Sequence, residues 1–440
     1  MYSSSNNNEG GSDGRGSDWK SDRRASRIEN PSYRSHHFQV FEHQTVSIGD
    51  TQNGVTFTAL HFQNLLNFYQ KKATKFFTPI HNGIKFSHYV GALQTGDLTI
   101  EILPKADRQK VSNTTLWQSV LLDLLRECKL IKMESLTHAA LRLRPNAILD
   151  LYIEIFLNEV EHLLQEGLVK SYQRKEENLS VLKGRLVVPK HIRKNQLQRD
   201  RFFVNFEKYD YNHLFNQLIF KGLLTLEKIV QKPSLVEKLR QIRAVFPKVK
   251  EITVTKRDFE QLKLHRQTQR YATALDIARL LILNYAPDIS SGKNDVLAIL
   301  FDMNLLWEEF IYRQLKKEQN EHFQVSRQQQ KPFWQRRYLR PDILLKMEDK
   351  NVVIDTKWKV LKRVSPSMED LRQMYVYAQY FRAEKSVLIY PQVHDLEDLA
   401  AAAFSEKVDG KTYFCQVNFV DVLENGELNR NIGKQLLARL

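Results

Sequence analysis

Two acidic residues, Asp342 and Asp355, stand at the two ends of a predicted β-hairpin. Asp342 opens the apolar run 343–345, and Asp355 closes the apolar run 352–354. The polar residues 348–351 between the runs are a turn signal, so the runs are predicted to pair as adjacent strands. This pairing brings the two carboxylates together. Such a pair suits Mg²⁺, which binds one or two protein carboxylates together with phosphate oxygens of a substrate.

Lys357 follows two residues after Asp355, so strand alternation places both side chains on the same face. A lysine there could orient an attacking water or stabilise the charge of a reacting phosphate. A carboxylate followed by a lysine at a strand end is also common as an exposed ion pair of small energetic value. The hairpin alone leaves both interpretations open, and the flanking elements must decide between them.

A long helix is predicted before the hairpin, over residues 294–319. At 100° per residue, an apolar stripe on this helix comprises Leu297, Phe301, Leu305, Tyr312 and Leu315. Glu308 falls in the middle of that stripe, whereas Glu309 joins the polar face with Asp302, Arg313 and Lys316. A carboxylate on an apolar face is costly unless it is paired or binds a metal. Glu308 is therefore predicted to be a third metal ligand or to position a water.

Other elements around the hairpin also carry polar side chains of interest. Arg336, Arg337 and Arg340 alternate with aromatic residues, which suits contact with a nucleic-acid backbone and its sugars or bases. Gln373 and Tyr377 lie four residues apart on one face of a helix predicted after the hairpin. The predicted order is helix, three strands, helix, strand, a further helix and a strand, which is a mixed α/β sheet.

Composition limits the class of protein. The formal net charge is +15 over 440 residues, which favours a polyanionic partner, nucleic acid before membrane. No stretch approaches about 20 uninterrupted apolar residues, and the N-terminus has no apolar secretion signal. The two cysteines, Cys128 and Cys415, form neither a disulfide framework nor a zinc site. A cytoplasmic protein without membrane contact is therefore expected.

Three regions are predicted along the chain. Residues 1–37 are rich in Ser, Asn, Gly and Arg and are predicted to be a disordered arm. Residues 38–290 begin as a β-rich region, with a hairpin that turns at residues 94–97, and continue as leucine-rich helices. Pro and Gly then mark a boundary, and residues 291–440 contain the acidic hairpin. A basic connection at residues 190–201 suits contact with DNA or a partner, or is a solvated charged loop.

These residues as a set resemble the PD-(D/E)xK nuclease core. Glu308 on a helix, then Asp342, then Asp355-x-Lys357 follow its order, and Gln373-x-x-x-Tyr377 is similar to the extra motif of its RecB-like branch. A narrower similarity covers roughly residues 40–440. VGALQTGDLTIEILPK, GRL followed by HIRKN, FDMNLLWEEF, YLRPDILL and VIDTKWK all resemble the McrC family of endonuclease subunits. Trp307 stands where that family usually has phenylalanine.

The resemblance implies a fold and a division of labour. It implies a C-terminal PD-(D/E)xK nuclease domain that uses Mg²⁺, held by Asp342, Asp355 and Glu308, with Lys357, Gln373 and Tyr377 completing the catalytic set. It also implies an N-terminal region that docks on McrB, an AAA+ GTPase that recognises methylated cytosine in double-stranded DNA. The chain has no G-x-x-x-x-G-K-[ST] motif, so no nucleotide-binding P-loop of its own is expected.

Two other functions stay open at this point. One is a RecB-like nuclease that works without a GTPase partner, and the other is a nonenzymatic DNA-binding or assembly subunit that has kept the fold. The complete Asp342, Asp355 and Lys357 set argues against the nonenzymatic function. A P-loop GTPase encoded in a neighbouring gene would separate the two nucleases.

Overall fold

The computed structural model describes residues 36–106, 113–130, 148–287, 295–347, 350–361, 363–393, 396–406 and 410–440. The arm predicted for residues 1–37 lies outside the described residues except for its last two, which belong to the first strand. Residues 348 and 349 of the predicted hairpin turn also lie outside them. Within the described ranges, no helix has the length and apolar character needed to cross a bilayer.

The N-terminal part consists mainly of short strands around one helix, as its sequence predicts. Its elements are β1 (His36–Phe41), β2 (Thr45–Ser47), β3 (Thr51–Gln52), β4 (Val55–Thr56), α1 (Ala59–Lys72), β5 (Phe77–Ile80), β6 (Gly83–Phe86), β7 (Tyr89–Thr95) and β8 (Leu98–Leu103). β7 and β8 form the predicted hairpin, and β1 pairs with β8 in parallel. β2, β6 and β5 form a smaller sheet.

Helices dominate the middle of the chain. The elements are α2 (Thr114–Glu127), α3 (Ile148–Glu166), β9 (Ser171–Leu179), β10 (Arg185–Leu186), α4 (Val188–Asn195), β11 (Phe202–Asp210), α5 (Leu214–Leu226), α6 (Pro233–Val245), α7 (Lys256–Glu260), a 3₁₀ turn (Gln269–Tyr271), α8 (Ala272–Leu283) and β12 (Tyr285–Ala286). The apolar faces of α3, α5 and α8 pack together and supply much of the core.

Residues 171–210 form a separate antiparallel sheet, which we call the basic sheet, in the order β10, β11, β9. The basic connection predicted as a loop is partly helical here, because α4 begins with Pro189 in its first turn and packs against β11. Arg193 and Lys194 lie on α4, and both are exposed. β9 has alternating but highly charged residues, which is why its strand character was not predicted.

The predicted long helix over residues 294–319 is wrong in its first third. β13 (Val296–Asp302) is a strand, and the helix α9 (Met303–Lys317) begins only after it, with the Asp302 side chain accepting a hydrogen bond from Asn304 N–H at 2.9 Å. A short apolar run such as 296–300 fits a buried strand as well as a buried helix, so periodicity could not separate them. Leu297 and Phe301 therefore belong to β13 and not to a helical stripe.

β13 lies inside the N-terminal sheet, whose order is β1, β8, β7, β13, β12. Gly91 in β7 has φ 135°, and a Cβ there would lie 2.2 Å from the carbonyl oxygen of Ile299. Glycine at this position therefore permits the close approach of β7 and β13. The predicted boundary between residues 290 and 291 precedes a strand of this sheet, so a fragment that ended there would lack β13.

The C-terminal part contains a six-stranded mixed sheet. Its elements are β14 (Phe323–Arg327), β15 (Lys331–Trp334), β16 (Arg337–Leu339), β17 (Ile343–Met347), β18 (Asn351–Thr356), α10 (Met368–Phe381), β19 (Ala383–Pro391), β20 (Leu399–Ala403), β21 (Phe414–Val420), β22 (Leu423–Glu424), β23 (Glu427–Leu428) and α11 (Ile432–Leu437). The strand order is β14, β17, β18, β19, β21, β20.

The connections within this sheet follow the predicted order with one exception. β17 and β18 pair as the predicted hairpin, and α10 crosses over to β19, which runs parallel to β18. The further helix predicted before the last strand is wrong, because residues 399–403 form β20 against β21. Edge pairing overrides the helix propensity of its alanines. The mixed α/β class is confirmed, and one hydrophobic core continues from α3 and α5 through α9 into β17 and β18.

Candidate active site

Asp342 and Asp355 meet at one edge of the C-terminal sheet. Ile343 pairs with Ile354 across β17 and β18, so the residue before Ile343 lies next to the residue after Ile354. Thr356 holds Asp342 in place, since its backbone N–H and its hydroxyl donate to Asp342 Oδ2 at 2.7 and 3.0 Å. The predicted pairing of the two carboxylates is therefore present in the structure.

Both carboxyl groups lie in an unusual electrostatic environment. Asp355 is 2 % exposed, and burial, followed by the nearby charge of Asp342, raises its pKa. Burial also raises the pKa of Asp342, although the hydrogen bonds from Thr356 oppose this. Two adjacent carboxylates that are both hard to ionise are stabilised by a cation between them.

Lys357 lies on the same face as Asp355, as alternation predicts. Its Nζ is 2.7 Å from Asp355 Oδ2 and 3.7 Å from Asp370 Oδ1, and it donates to Gln373 Oε1 at 3.1 Å. Burial alone would lower the pKa of Lys357, but the carboxylates around it, Asp355 first, raise that pKa above its ordinary value. These contacts favour the protonated ammonium form of the side chain.

Gln373 and Tyr377 connect α10 to the start of β17. Gln373 Nε2 donates to the Tyr377 hydroxyl at 3.0 Å, and that hydroxyl donates to the Arg340 carbonyl oxygen at 3.1 Å. The predicted i, i+4 relation is thus realised as a hydrogen-bonded chain from Lys357 to the backbone just before Asp342. This chain links the lysine to the backbone segment that leads into Asp342.

Asp370, which was not among the predicted site residues, belongs to the same cluster. It lies in the first turn of α10, where its N–H donates to Ser367 Oγ at 3.1 Å, and its carboxylate accepts from the Tyr390 hydroxyl at 3.2 Å. The Ser-x-x-Asp spacing of Ser367 and Asp370 before an apolar run is the signal that could have located it.

Glu308 and Glu309 point in different directions from α9, as predicted. Glu308 accepts a hydrogen bond from Gln328 Nε2 at 2.8 Å, and burial together with the charge of Asp342 raises its pKa. Glu309 instead pairs with Arg313 at 2.5 Å and with Arg327. The orientation is right, but the predicted stripe is not, since Leu305 is 57 % exposed.

The carboxylates do not form a three-ligand cage. Among the described residues, no three His, Cys, Asp or Glu side chains are grouped so that they could hold a metal ion. Asp342 and Asp355 are adjacent, and Glu308 is close enough to Asp342 for that charge to raise the pKa of Glu308. This arrangement offers two protein carboxylates, which is the number that Mg²⁺ commonly takes when a substrate phosphate provides further oxygens.

A buried connection joins the N-terminal sheet to this site. Trp358, directly after Lys357, donates its indole N–H to Glu42 Oε1 at 2.6 Å, and its ring lies 5.2 Å from that of Trp307, directly before Glu308. Glu42 follows β1, is 6 % exposed and also accepts from Lys105 N–H at 3.0 Å. Burial raises the pKa of Glu42 to about 7. The N-terminal part thus supports residues on both sides of the site.

The predicted DNA-contacting arginines lie on and beside the β15–β16 hairpin. Arg336 is at its turn and Arg337 at the start of β16, with the guanidinium of Arg337 5.9 Å from the Trp334 ring. Both are exposed, as is Arg340, whose charge reaches Asp342 and Glu308. Exposed cations and aromatic rings therefore border the carboxylates on one side.

Comparison with known proteins shows what this chain is similar to. The family model described as "McrBC 5-methylcytosine restriction system component" matches residues 84–391, which is well over half of the chain. A chain in the refined half-complex from a tetradecameric assembly of Thermococcus gammatolerans McrB AAA+ hexamers with bound McrC is similar, with a TM-score of 0.63 and 19 % identity. The similarity covers 92 % of this chain and 100 % of that one, and it shows a shared fold.

A second chain, from the cryo-EM structure of the Thermococcus gammatolerans McrBC complex, matches with a TM-score of 0.48 and 18 % identity. This match covers 63 % of the present chain and 86 % of the other. None of the curated proteins matches the chain.

Proposed function

The chain belongs to the McrBC family of 5-methylcytosine restriction system components and is of the McrC type, and from this premise we propose that it is the Mg²⁺-dependent DNA endonuclease subunit of such a system. The observation that carries this proposal is the buried pair of Asp342 and Asp355 with the ammonium of Lys357 beside it. Two buried, mutually repelling carboxylates destabilise the folded protein. A noncatalytic binding or assembly subunit would not need to keep them.

The donor set fits a divalent cation. Asp355 Oδ2 is buried and receives no well-aligned hydrogen bond from the described residues, although Lys357 Nζ lies 2.7 Å away. Asp342 and Asp355 would hold the ion, and Glu308 would either add a ligand or orient a water. When bound, Mg²⁺ supplies a Lewis acid for the phosphate and lowers the pKa of a coordinated water.

The side chains around the pair have distinct tasks in phosphodiester hydrolysis. The ammonium of Lys357 orients the attacking water and stabilises the negative charge that develops on the phosphate. Gln373 keeps that ammonium in place, and Tyr377 holds Gln373 against the Arg340 carbonyl. Arg336, Arg337 and Arg340 attract the phosphates of double-stranded DNA on either side of the cut.

The partner that we propose is a McrB-like AAA+ GTPase, which recognises modified cytosine and whose GTP turnover this chain stimulates. Support comes from the related complex of McrB AAA+ hexamers with bound McrC and from the missing P-loop motif in this sequence. Helix α4, which packs against the basic sheet, offers a docking surface, since Arg193 and Lys194 are exposed on it. Specificity for the DNA modification would lie with the partner.

Two matched lysine substitutions test the proposed chemistry. Lys357→Ala removes the ammonium beside Asp355, whereas Lys359→Ala removes an exposed ammonium two residues later. Cleavage of methylated plasmid DNA, measured with the GTPase partner and GTP, should fall at least about 10²- to 10³-fold for Lys357→Ala, as for the loss of a transition-state donor. Lys359→Ala should cut at close to the wild-type rate.

The same assay separates the proposed function from the alternatives. If Lys357→Ala cut as fast as wild type, the site assignment would fail. If wild-type chain degraded DNA equally well without the GTPase, a RecB-like nuclease would be the better description. If the wild-type complex bound DNA and never cut it, the nonenzymatic assembly function would replace the proposal.

A further inference from the structure

A basic cleft beside α9 has no part in the site described above. Its volume is about 760 Å³, and seven of the nine described residues that line it are Arg or Lys. The C-terminal ends of α2 and α9, the end of β14 and the segment before α11 contribute to it. This volume is within the range of small-molecule sites, but the lining is strongly cationic, which suits an anionic ligand.

The cations of the cleft exceed the carboxylates that pair with them. Glu127 accepts from Lys317 and Arg430 at 2.6 and 3.1 Å, and Glu309 pairs with Arg313 and Arg327. Asp123 pairs with Arg126 at 2.6 Å. Among the described residues, seven cations against three carboxylates leave an excess of four positive charges.

Helix dipoles explain only part of this excess. Arg126, Lys316 and Lys317 lie in the last turns of their helices, where cations are favoured. Arg327 comes from the end of a strand, and Arg430 from the segment before α11, so neither is explained in this way. Ion pairs to Glu309 and Glu127 already hold the guanidiniums of Arg327 and Arg430 in place. Binding an anion therefore requires less loss of side-chain conformational entropy.

The cleft begins next to the proposed cutting site. Tyr312 lines it and lies four residues, or about 6 Å of helix rise, after Glu308 on α9. Arg327 lies 5.3 Å from the Tyr312 ring, and the next residue, Gln328, donates to Glu308. A chain of phosphates that enters at Lys316 and passes Arg327 would therefore lead to Glu308 and the carboxylate pair.

We propose that this cleft binds the phosphodiester backbone of the DNA strand that flanks the cut. The inference rests on the proposed nuclease function and adds a second backbone contact to it. The chemistry recognised is a row of phosphate groups. A free nucleotide polyphosphate offers the same chemistry, and the experiment below separates the two sources.

The test measures DNA binding by the full chain in the noncleaving Lys357→Ala background. Lys129→Asn with Arg430→Gln removes two cleft cations, and Asn suits the positive φ of 55° at residue 129. Arg257→Gln with Lys263→Asn is the matched control, because it removes the same charges from exposed positions on and after α7. Fluorescence anisotropy of a labelled duplex is recorded over a range of salt concentrations.

The expected result is a change in salt dependence. Each lost phosphate contact reduces the slope of log affinity against log salt by about 0.9, so the cleft pair should reduce it by about 1.8. Affinity at 0.1 M salt should then fall roughly 60-fold if the affinity at 1 M is unchanged. The control pair should leave the slope close to that of the Lys357→Ala chain.

Three outcomes would overturn the inference. One is no measurable duplex binding by the Lys357→Ala chain, and another is an equal change of slope for cleft and control pairs. The third is that the chain binds GTP in calorimetry, the cleft double substitution abolishes this binding, and the salt dependence of duplex binding stays unchanged. The cleft would then be a nucleotide site. Failure of the nuclease proposal can be distinguished from failure of this inference. The nuclease proposal fails if the wild-type complex does not cut DNA, whatever the salt dependence of binding.

Discussion

The Glu42→Gln variant should become increasingly more stable than wild type as the pH rises, because the wild type loses stability. Glu42 is buried, and burial raises its pKa from an ordinary 4.5 to about 7. Between these two values the folded state keeps a proton that the unfolded state releases. The free energy of unfolding therefore falls as the pH rises through this window, and the loss is complete above the folded-state value.

The size of the effect follows from the pKa. One pKa unit corresponds to about 1.4 kcal/mol, so the ionisation of Glu42 lowers the stability of the wild type by about 3 kcal/mol between pH 4.5 and pH 8. Gln cannot ionise, and its amide oxygen can still accept from the Trp358 indole and from Lys105 N–H. The difference in unfolding free energy, variant minus wild type, should grow by about 3 kcal/mol over this range.

Urea denaturation at pH 4.5, 6, 7 and 8 measures this difference, with tryptophan fluorescence as the signal. Glu406→Gln is the matched control, since Glu406 is exposed and its substitution should give no comparable rise. A difference for Glu42→Gln that stayed constant from pH 4.5 to 8 would refute the argument. It would mean that the carboxyl reaches water, and that the connection from β1 to Trp358 is not closed.

Two further predictions concern the site and the partner. If Glu308 contacts the reacting water, Glu308→Gln should reduce the cleavage rate at least about 10²-fold. Glu309→Gln removes only ion pairs to arginines and should reduce the cleavage rate at most a few-fold. Equal rates or the reverse order would show that α9 is rotated from the orientation described. The full-length Lys357→Ala chain should still raise GTP turnover by the partner. Replacing Arg193 and Lys194 by Gln should reduce that stimulation, by about 10³-fold or more if a cation reaches the GTP phosphates and by less if the effect is indirect. If the wild-type chain did not stimulate GTP turnover at all, the proposed division of labour would be wrong.

The acidic hairpin could be predicted because its information is local. Apolar runs, a polar turn and two flanking carboxylates all lie within residues 342–355, and the observed pairing of Ile343 with Ile354 follows from them. The i, i+4 contact of Gln373 with Tyr377 is local in the same sense. Patterns of this length depend little on the rest of the chain.

Other features depend on distant contacts and could not be predicted. The strand character of 296–302 comes from its place between β7 and β12, since the run itself suits a buried helix equally well. The orientation of Glu308 was predicted from a stripe that included two residues of this strand, so the result is right although the reason is not. Trp358 and Glu42 are 316 residues apart, and no sequence pattern connects them.

The boundary predicted between residues 290 and 291 also shows the limit of local patterns. Pro and Gly near residue 290 suggest a place to divide the chain, but β13 completes the N-terminal sheet from beyond that point. The basic cleft likewise combines residues from α2, α9, β14 and the segment before α11. Experiments on docking or DNA binding therefore need the full chain, inactivated by a point substitution.

The most direct test of the proposed nuclease is cleavage of methylated plasmid DNA by the complete complex, with GTP present and the free Mg²⁺ concentration varied, for wild type and Asp355→Asn. Asn is nearly the same shape as Asp, and the substitution removes the negative charge that would hold the metal. We expect Mg²⁺-dependent cutting by wild type that a chelator abolishes. For Asp355→Asn we expect a loss of several orders of magnitude, while GTP turnover by the partner is unchanged. Cutting by Asp355→Asn at the wild-type rate, or cutting that persists in excess chelator, would contradict the nuclease proposal.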